Sequence, residues 1–363
     1  MTPVQIEENI LAGSELVELC SQLGSRAAIV TDSHVEDLYG RRFEQHLKDH
    51  GLEVYLFSFP GGEFYKTRTT KEMLEDQMQA KGLGKDTCLI GLGGGVATDI
   101  AGFIAATYCR GIPYICCPTT LLGMVDASLG GKTGVNTAFG KNLIGAYYPP
   151  EMVYIDTTTL RTLKQNEIRN GTVEMIKHAL VADALYFEFF EKHLDRIHVV
   201  DIGYVTEAIE TSCRIKQNIV KSDRQESGKR HLLNFGHTIG HALETTSDFK
   251  LSHGEAIAMG LIAESHLSMK LGRLDEGSFQ RIEKVLRDNH PELSLSPEVT
   301  PKVLREAMTM DKKSRKSRPR FSVLKAIGAP MECGGDFCME VKDKLIDKTL
   351  DWMCDALHSY QRA

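Results

Sequence analysis

The sequence predicts an α/β protein in two parts: an N-terminal domain built on a parallel sheet over residues 1–162, and a mainly α-helical C-terminal domain over 163–363. In the first half, short apolar runs alternate with amphipathic segments at the spacing of strand, crossover helix and parallel strand. After Thr162 that alternation stops and long helical periodicities replace it. A chain of 363 residues with 42% hydrophobic content is also large enough to fill two cores.

The first two strands are "RAAIVTD" (26–32) and "EVYLFSF" (53–59), with a helix from Val35 to His50 between them. A second helix, Thr69 to Lys81, leads into the strand of "TCLIGLGGG" (87–95). "PYICCPTT" (113–120) and "MVYID" (152–156) extend the sheet, whose ligand crevice belongs at the carboxyl ends of its strands. The helical periodicities follow at 168–183, 202–222, 236–247, 254–272 and 276–289. Between the halves, "LLGMVDASLGGKTGVNTAFGKNLIGAYYPP" (121–150) reads as a long ordered loop, rich in glycine but with apolar residues throughout.

The net charge of −6 supplies no general positive field, which argues against a nucleic-acid partner. No run of about 18 apolar residues suggests a membrane span. The nine cysteines include no paired CxxC spacing, so they read as reduced thiols of a cytoplasmic protein. The opening "MTPVQIEENILAGSELVELC" has neither the basic start nor the apolar run of a secretory signal.

Chemistry-bearing motifs sit at the expected strand ends. "GLGGGVATDIAGF" leaves a strand and opens a helix, so its glycines would let helix-start amides face a pyrophosphate, as in Rossmann-like sheets. It is out of register with GxGxxG, because Val96 stands where the third glycine would fall, and a simple tight turn remains the other reading. Asp32 ends the first strand, where it could take ribose hydroxyls, and Glu63 and Lys66 follow the second. In the second half, "NGTVEMIKHAL" puts Glu174 and Lys177 on one helix face, "NFGHTIGH" supplies His237 and His241, and "LSHGEAIAMG" puts His253 before a glycine at a helix start. Glu174, His237, His241 and His253 thus compete for the roughly three protein ligands of a catalytic metal. HTIGH has the i, i+4 spacing of the zinc-protease helix but lacks its glutamate, so the protease reading fails. Arg110, Lys132, Lys141, Asn142, Lys216 and Arg230 are candidate anion contacts. "MDKKSRKSRPRF" (310–321) holds six cationic residues between 312 and 320 and reads by itself as a solvated loop, from which Lys312 or Lys313 could reach a phosphate.

In order and spacing, "GGEFYK", the 91–136 block, "GKNLIGAYYPP", "NGTVEMIKHALVAD", "LLNFGHTIGHALE", "SHGEAIAMG" and "DKKSR" resemble the 3-dehydroquinate synthases of the shikimate pathway. The resemblance runs from about residue 26 to 326. It implies a dehydroquinate synthase-like fold and an NAD- and zinc-dependent lyase, with cobalt or another divalent ion as a substitute. The implied reaction turns 3-deoxy-D-arabino-heptulosonate 7-phosphate into 3-dehydroquinate and phosphate by oxidation, elimination, reduction and aldol closure, and the family commonly forms homodimers. Carried over by residue, the resemblance makes Glu174, His237 and His253 metal ligands. Its NAD contacts fall on Asp32, Glu63, Lys66, Gly94, Gly95, Val96, Asp99, Thr119, Thr120, Lys132, Lys141, Thr159, Leu160 and Thr162. Its substrate and catalytic contacts fall on Arg110, Asp126, Lys132, Lys141, Asn142, Lys177, Lys216, Glu226, Arg230, Asn234, His241 and Lys313. The chain departs from the family pattern at His34, Thr98 and Gly123-Met124, which bear on NAD affinity. Alternative readings are another sugar-phosphate cyclase, such as a 2-epi-5-epi-valiolone synthase, or a metal-dependent polyol dehydrogenase.

Overall fold

The computed structural model describes residues 2–223, 226–247, 250–310 and 318–358. The chain divides into two compact units, Met1–Glu167 with Val205–Cys213, and Ile168–Tyr204 with Arg214–Ala363. In the first unit, β1 (Val4–Glu7), β2 (Arg26–Asp32), β3 (Glu53–Phe59), β4 (Thr87–Gly93), β5 (Tyr114–Pro118) and β8 (Met152–Asp156) form one parallel sheet. Its order is β1-β8-β5-β4-β2-β3. The helices of this unit are α1 (Ser14–Leu23), α2 (Ser33–Val35), α3 (Arg41–Asp49), α4 (Arg68–Ala80) and α5 (Gly95–Thr107).

The β4 segment TCLIGLG is buried along its whole length, as befits a central parallel strand covered on both faces. From β2 the chain moves outward to β3, returns past β2 to β4, and continues away through β5 and β8. The order therefore reverses between β2 and β4, and the carboxyl ends of those two strands flank the switch point where such sheets bind ligands.

Three expectations change. β1 was not foreseen, and the helix expected from Val35 to His50 is divided into α2, a π-helical turn at Glu36–Gly40 and α3. At that wider turn a Cβ on Gly40 would press on Leu56 at 3.2 Å, so the chain passes close to β3 there. The segment expected as a loop over 121–150 holds a π-helical turn, Gly123–Ala127, and an antiparallel hairpin of β6 (Lys132–Thr137) and β7 (Gly140–Tyr147). Its glycines are what the pairing requires: a Cβ on Gly145 would lie 1.9 Å from the Thr133 carbonyl oxygen.

The second half is helical: α6 (Gln165–Ala182), α7 (Ala184–His198), α8 (Ile202–Ser222), α9 (His237–Thr246), α10 (His253–Lys270), α11 (Glu276–Asn289), α12 (Pro301–Met310) and α13 (Asp343–His358). Two small antiparallel pairs, β9 (Arg320–Phe321) with β12 (Met339–Glu340) and β10 (Leu324–Ala326) with β11 (Ala329–Pro330), complete it. α10 is the buried centre of this unit, with an almost unbroken run of buried residues from Gly254 to Ser268. α9 crosses it at glycines, since a Cβ on Gly260 would sit 2.0 Å from the Gly236 carbonyl oxygen. No helix among the described residues is long and apolar enough to cross a membrane. Seven of the nine cysteines are buried, and all nine are free thiols.

Candidate functional site

Three helix segments of the second unit bring a metal-ligand set together. α10 starts at His253 because Ser252 and Glu255 form a capping box, each side chain bonding to the other's backbone N–H. The next residue, Gly254, admits Asn170 of α6 at contact distance and donates its N–H to Asn170 Oδ1 at 3.2 Å. One turn beyond Asn170, α6 carries Glu174, which is fully buried. α9 starts at His237 after Gly236, whose φ of 79° is a left-handed conformation suited to glycine.

One ligand atom from each of Glu174, His237 and His253 lies within 4.8 Å of the others. The Nε2 atoms of His237 and His253 stand 3.5 and 3.4 Å from Glu174 Oε1, too far for good hydrogen bonds. That oxygen is buried with no hydrogen-bond partner, whereas Oε2 is held by Lys177. One carboxylate oxygen and two imidazole nitrogens facing a common point, each backed by an outer contact, suit a divalent ion. His237 Nδ1 lies 3.1 Å from the Phe235 carbonyl oxygen and His253 Nδ1 3.5 Å from Glu244 Oε1. The His253 side chain keeps 28% of its surface exposed, which leaves the set open on one side, as a catalytic rather than a structural site requires.

The electrostatics agree with that fit. Burial would raise the Glu174 pKa, but the Lys177 ammonium and the neighbouring imidazoles hold it well below the usual carboxylate range. Burial would lower that of His253, yet the carboxylates of Glu174 and Glu244 on its two sides push it up to about 10. The carboxylates of Glu174 and Glu244 flank the His253 ring, so a cation held by that ring would meet their charge. His241 belongs to another position: its ring meets that of His237 edge-on at 5.2 Å.

Beyond α8, Asp223 anchors the segment that carries the other candidates of this unit. Asp223 accepts backbone bonds from Ser227, Gly228 and Arg230 at 2.7–3.0 Å, which folds the turn into the 3-10 helix Lys229–Asn234. Glu226 in that turn has φ 57°, and Asn234 ends the 3-10 helix. Lys216 and Arg230 are buried cations, 5% and 4% exposed. Lys313 lies outside the described residues.

In the first unit the candidates gather in two groups. At the switch point, Asp32 caps α2 by accepting from the His34 and Val35 amides, and a Cβ on Gly93 would come within 3.5 Å of its Oδ2. Beside it, α5 starts at Gly94-Gly95 with no side-chain cap. A Cβ on Gly94 would touch Thr120 at 3.0 Å, and one on Gly95 would touch Ala127 at 3.3 Å. Val96 follows in the first turn, and Thr119 bonds its amide to the Gly93 carbonyl at 2.9 Å. Uncapped amides behind side-chain-free positions fit a pyrophosphate. Thr159 and Leu160 are buried in the 3-10 helix Thr157–Thr162, where Tyr39 bonds to the Thr159 carbonyl and to the Thr162 hydroxyl.

The second group is a polar cluster around Lys66, which bonds to Asp99 at 2.5 Å and to Asn142 at 2.7 Å. Burial raises the Asp99 pKa against the pull of that ammonium. Asn136 links Glu63 to the Asn142 amide and so ties this loop to the β6–β7 hairpin. Asp126 lies in the π-helical turn, Lys132 is exposed at the start of β6, and Lys141 is half-buried in β7. Arg110 is exposed after α5, in a left-handed backbone conformation with φ 64°.

Sequence reasoning missed the residues that hold these groups: Asn170, Asp223, Glu244 and Asn136. Glu244 left a readable signal, because it follows His237 by seven residues and so returns to the same helix face.

Comparison with known proteins agrees with the geometry. Family models described as 3-dehydroquinate synthase N-terminal and C-terminal match residues 56–170 and 171–314. The 3-dehydroquinate synthase of Nitrosomonas europaea is 40% identical over 326 residues, covering 90% of this chain and 88% of the relative. Among solved structures, 2-epi-5-epi-valiolone synthase from Streptomyces hygroscopicus, with NAD+ and Zn2+ bound, superposes with a TM-score of 0.88 at 31% identity, over 98% of this chain and 97% of that one. A 2-deoxy-scyllo-inosose synthase complexed with carbaglucose-6-phosphate, NAD+ and Co2+ gives 0.86 at 26% identity, over 96% of each chain. The chain belongs to the 3-dehydroquinate synthase family.

Proposed function

We propose that this protein is a 3-dehydroquinate synthase that turns 3-deoxy-D-arabino-heptulosonate 7-phosphate into 3-dehydroquinate and phosphate, the second step of the shikimate pathway. The observation that carries the reading is the buried Glu174 Oε1, without a hydrogen-bond donor and flanked by the Nε2 atoms of His237 and His253. Relatives bearing that name at 40% identity support the substrate, and the NAD+ with Zn2+ or Co2+ of the two solved cyclases supports the cofactors. In this reading residues 1–162 bind NAD and 163–363 bind metal and substrate.

When bound, the divalent ion supplies Lewis acidity that makes a substrate hydroxyl easier to oxidise and polarises the resulting ketone. NAD, when bound, would supply reversible hydride chemistry with no external reductant consumed. The chain's own residues bind and orient. Glu174, His237 and His253 would hold the metal, and Lys177 fixes Glu174 so that Oε1 faces the two imidazoles. Arg230 and Lys216 present buried positive charge to the substrate carboxylate, and Asn234, Glu226 and His241 position its polar groups. Arg110, Lys132 and Lys141 neutralise phosphate as it leaves, and Asn142 donates its side-chain amide to it; Asp126 and Lys313 are further substrate contacts. Asp32, Glu63, Lys66, Gly94, Gly95, Val96, Asp99, Thr119, Thr120, Thr159, Leu160 and Thr162 hold the dinucleotide.

The protein works in the cytoplasm, with no nucleic-acid or membrane partner. It works as a homodimer, supported by the exposed Phe139, Leu143 and Tyr147 of the β6–β7 hairpin, an apolar group unusual on a solvated surface. Phosphate release with catalytic NAD tests the function: the heptulosonate phosphate should turn over and sedoheptulose 7-phosphate, which lacks the carboxylate, should not. The reverse preference would establish a different cyclase. The purified protein should carry about one zinc per chain, lost in Glu174→Ala and His253→Ala with the fold kept. Full zinc content in either variant would refute the ligand set.

A further inference from the structure

We infer that Glu264 is a positioning residue for the metal ligand His237, a role that rests on the metal reading above. A helix start leaves its first backbone N–H groups without intrahelical partners, and a side chain of the N-cap residue usually satisfies one. α9 has no such side chain, because its N-cap is Gly236. Glycine is required there: φ is 79°, and a Cβ would strike Leu261 at 2.7 Å. The cap comes instead from α10. Glu264 Oε2 accepts from the Gly236 N–H at 2.9 Å, and Oε1 accepts from the N–H groups of Thr238 and Ile239 at 3.1 and 3.4 Å.

These bonds bracket His237. The amides before and after it are clamped to one carboxylate, and its ring Nδ1 is tied to the Phe235 carbonyl. Glu264 is fully buried, and burying a carboxylate is costly, so an apolar residue like its buried helix neighbours Leu261 and Leu267 would suit mere packing better. The carboxylate also faces the positive end of the α9 dipole. At 3.6 residues per turn, the eleven positions between His253 and Glu264 amount to about three turns, so both project from one face of α10. One helix therefore carries one metal ligand and the group that fixes the backbone of another. Nothing in the sequence motif marks Glu264, because its partners are backbone groups of a different helix.

The test uses Glu264→Ala and the isosteric Glu264→Gln in the full-length protein, with Glu174→Ala as the reference for a lost ligand. Zinc affinity is read by competition with a chromophoric chelator, ligand geometry by the visible bands of the cobalt-substituted protein, and folding by circular dichroism and the melting temperature of the metal-free protein. Glu264→Ala should bind zinc about ten- to a hundredfold more weakly, as outer-shell changes do, with shifted cobalt bands, while metal-free circular dichroism and NAD binding stay at wild-type values. Glu264→Gln should fall between, because its amide oxygen can keep the Thr238 and Ile239 bonds while its NH2 opposes the Gly236 N–H. If Ala does not fold, the Gln variant decides. A lower melting temperature with wild-type zinc affinity and cobalt bands would overturn the inference and leave Glu264 a purely structural cap. Wild-type zinc binding in Glu174→Ala would instead overturn the metal reading, and this inference with it.

Discussion

Lys177 and Glu174 are 1% and 0% exposed, and at such burial an ion pair stands or falls with both members. Removing the lysine leaves a carboxylate in a pocket that already contains the carboxylate of Glu244. Lys177→Met should therefore destabilise the metal-free protein by about 3–5 kcal/mol. Zinc returns positive charge to the same carboxylate, so the deficit should shrink when the metal is present. Urea denaturation of both proteins, with chelator and with zinc, checks this; an equal deficit in the two conditions would count against Glu174 as a ligand. The same residues show what a sequence can reveal of a site. Glu174, His237, His241 and His253 were all visible as candidates by residue type. Which three converge depends on the Asn170–Gly254 contact and on glycine crossings between helices, which no local spacing encodes.

The 3-10 helix Lys229–Asn234 carries Arg230 and Asn234 and is pinned on two sides. Asp223 bonds its leading amides, while Asp336 bonds the His231 ring at 2.6 Å and Arg320 at 2.8 Å. Burial would raise the Asp336 pKa, but His231 and Arg320 hold it down at about 2, against about 3.9 in an unfolded chain. A depressed carboxylate pKa contributes stability that is fully present above about pH 4 and lost as pH falls towards 2. Asp336→Asn should thus cost about 1–2 kcal/mol at neutral pH, and the gap to wild type should close across that acid window. Denaturation midpoints at pH 7, 5 and 3 measure it, and a gap that widened in acid would contradict the assignment. Elements of this kind escape a sequence reading for physical reasons. β2, β3 and β8 were visible because each is a short, mainly apolar run. β1 is four residues with alternating polar side chains, and β6–β7 is strand built from glycines whose cross-strand approach looks like loop chemistry. The 3-10 helix is held by tertiary carboxylates rather than by any periodicity of its own.

The proposed cofactors divide cleanly between the two compact units: every residue assigned to NAD lies in the first, and Glu174, His237 and His253 lie in the second. A ligand that binds only the folded state stabilises it by about 2.7 kcal/mol at a hundred times its dissociation constant, and protects first the segments it contacts. Hydrogen exchange should therefore separate the two. NAD added to the metal-free protein should slow exchange at the β2 carboxyl end, the first turn of α5, residues 119–120 and the 3-10 helix Thr157–Thr162. Zinc added without NAD should slow exchange in α6 around Glu174 and in the first turns of α9 and α10. The α9 start is the sharpest probe, because the Gly236, Thr238 and Ile239 amides already donate to Glu264 and open only when that clamp releases. Zinc should deepen their protection and NAD alone should leave them unchanged. Protection by zinc confined to the β2–α5 region would place the metal in the wrong unit and defeat the division of roles on which the proposed chemistry depends.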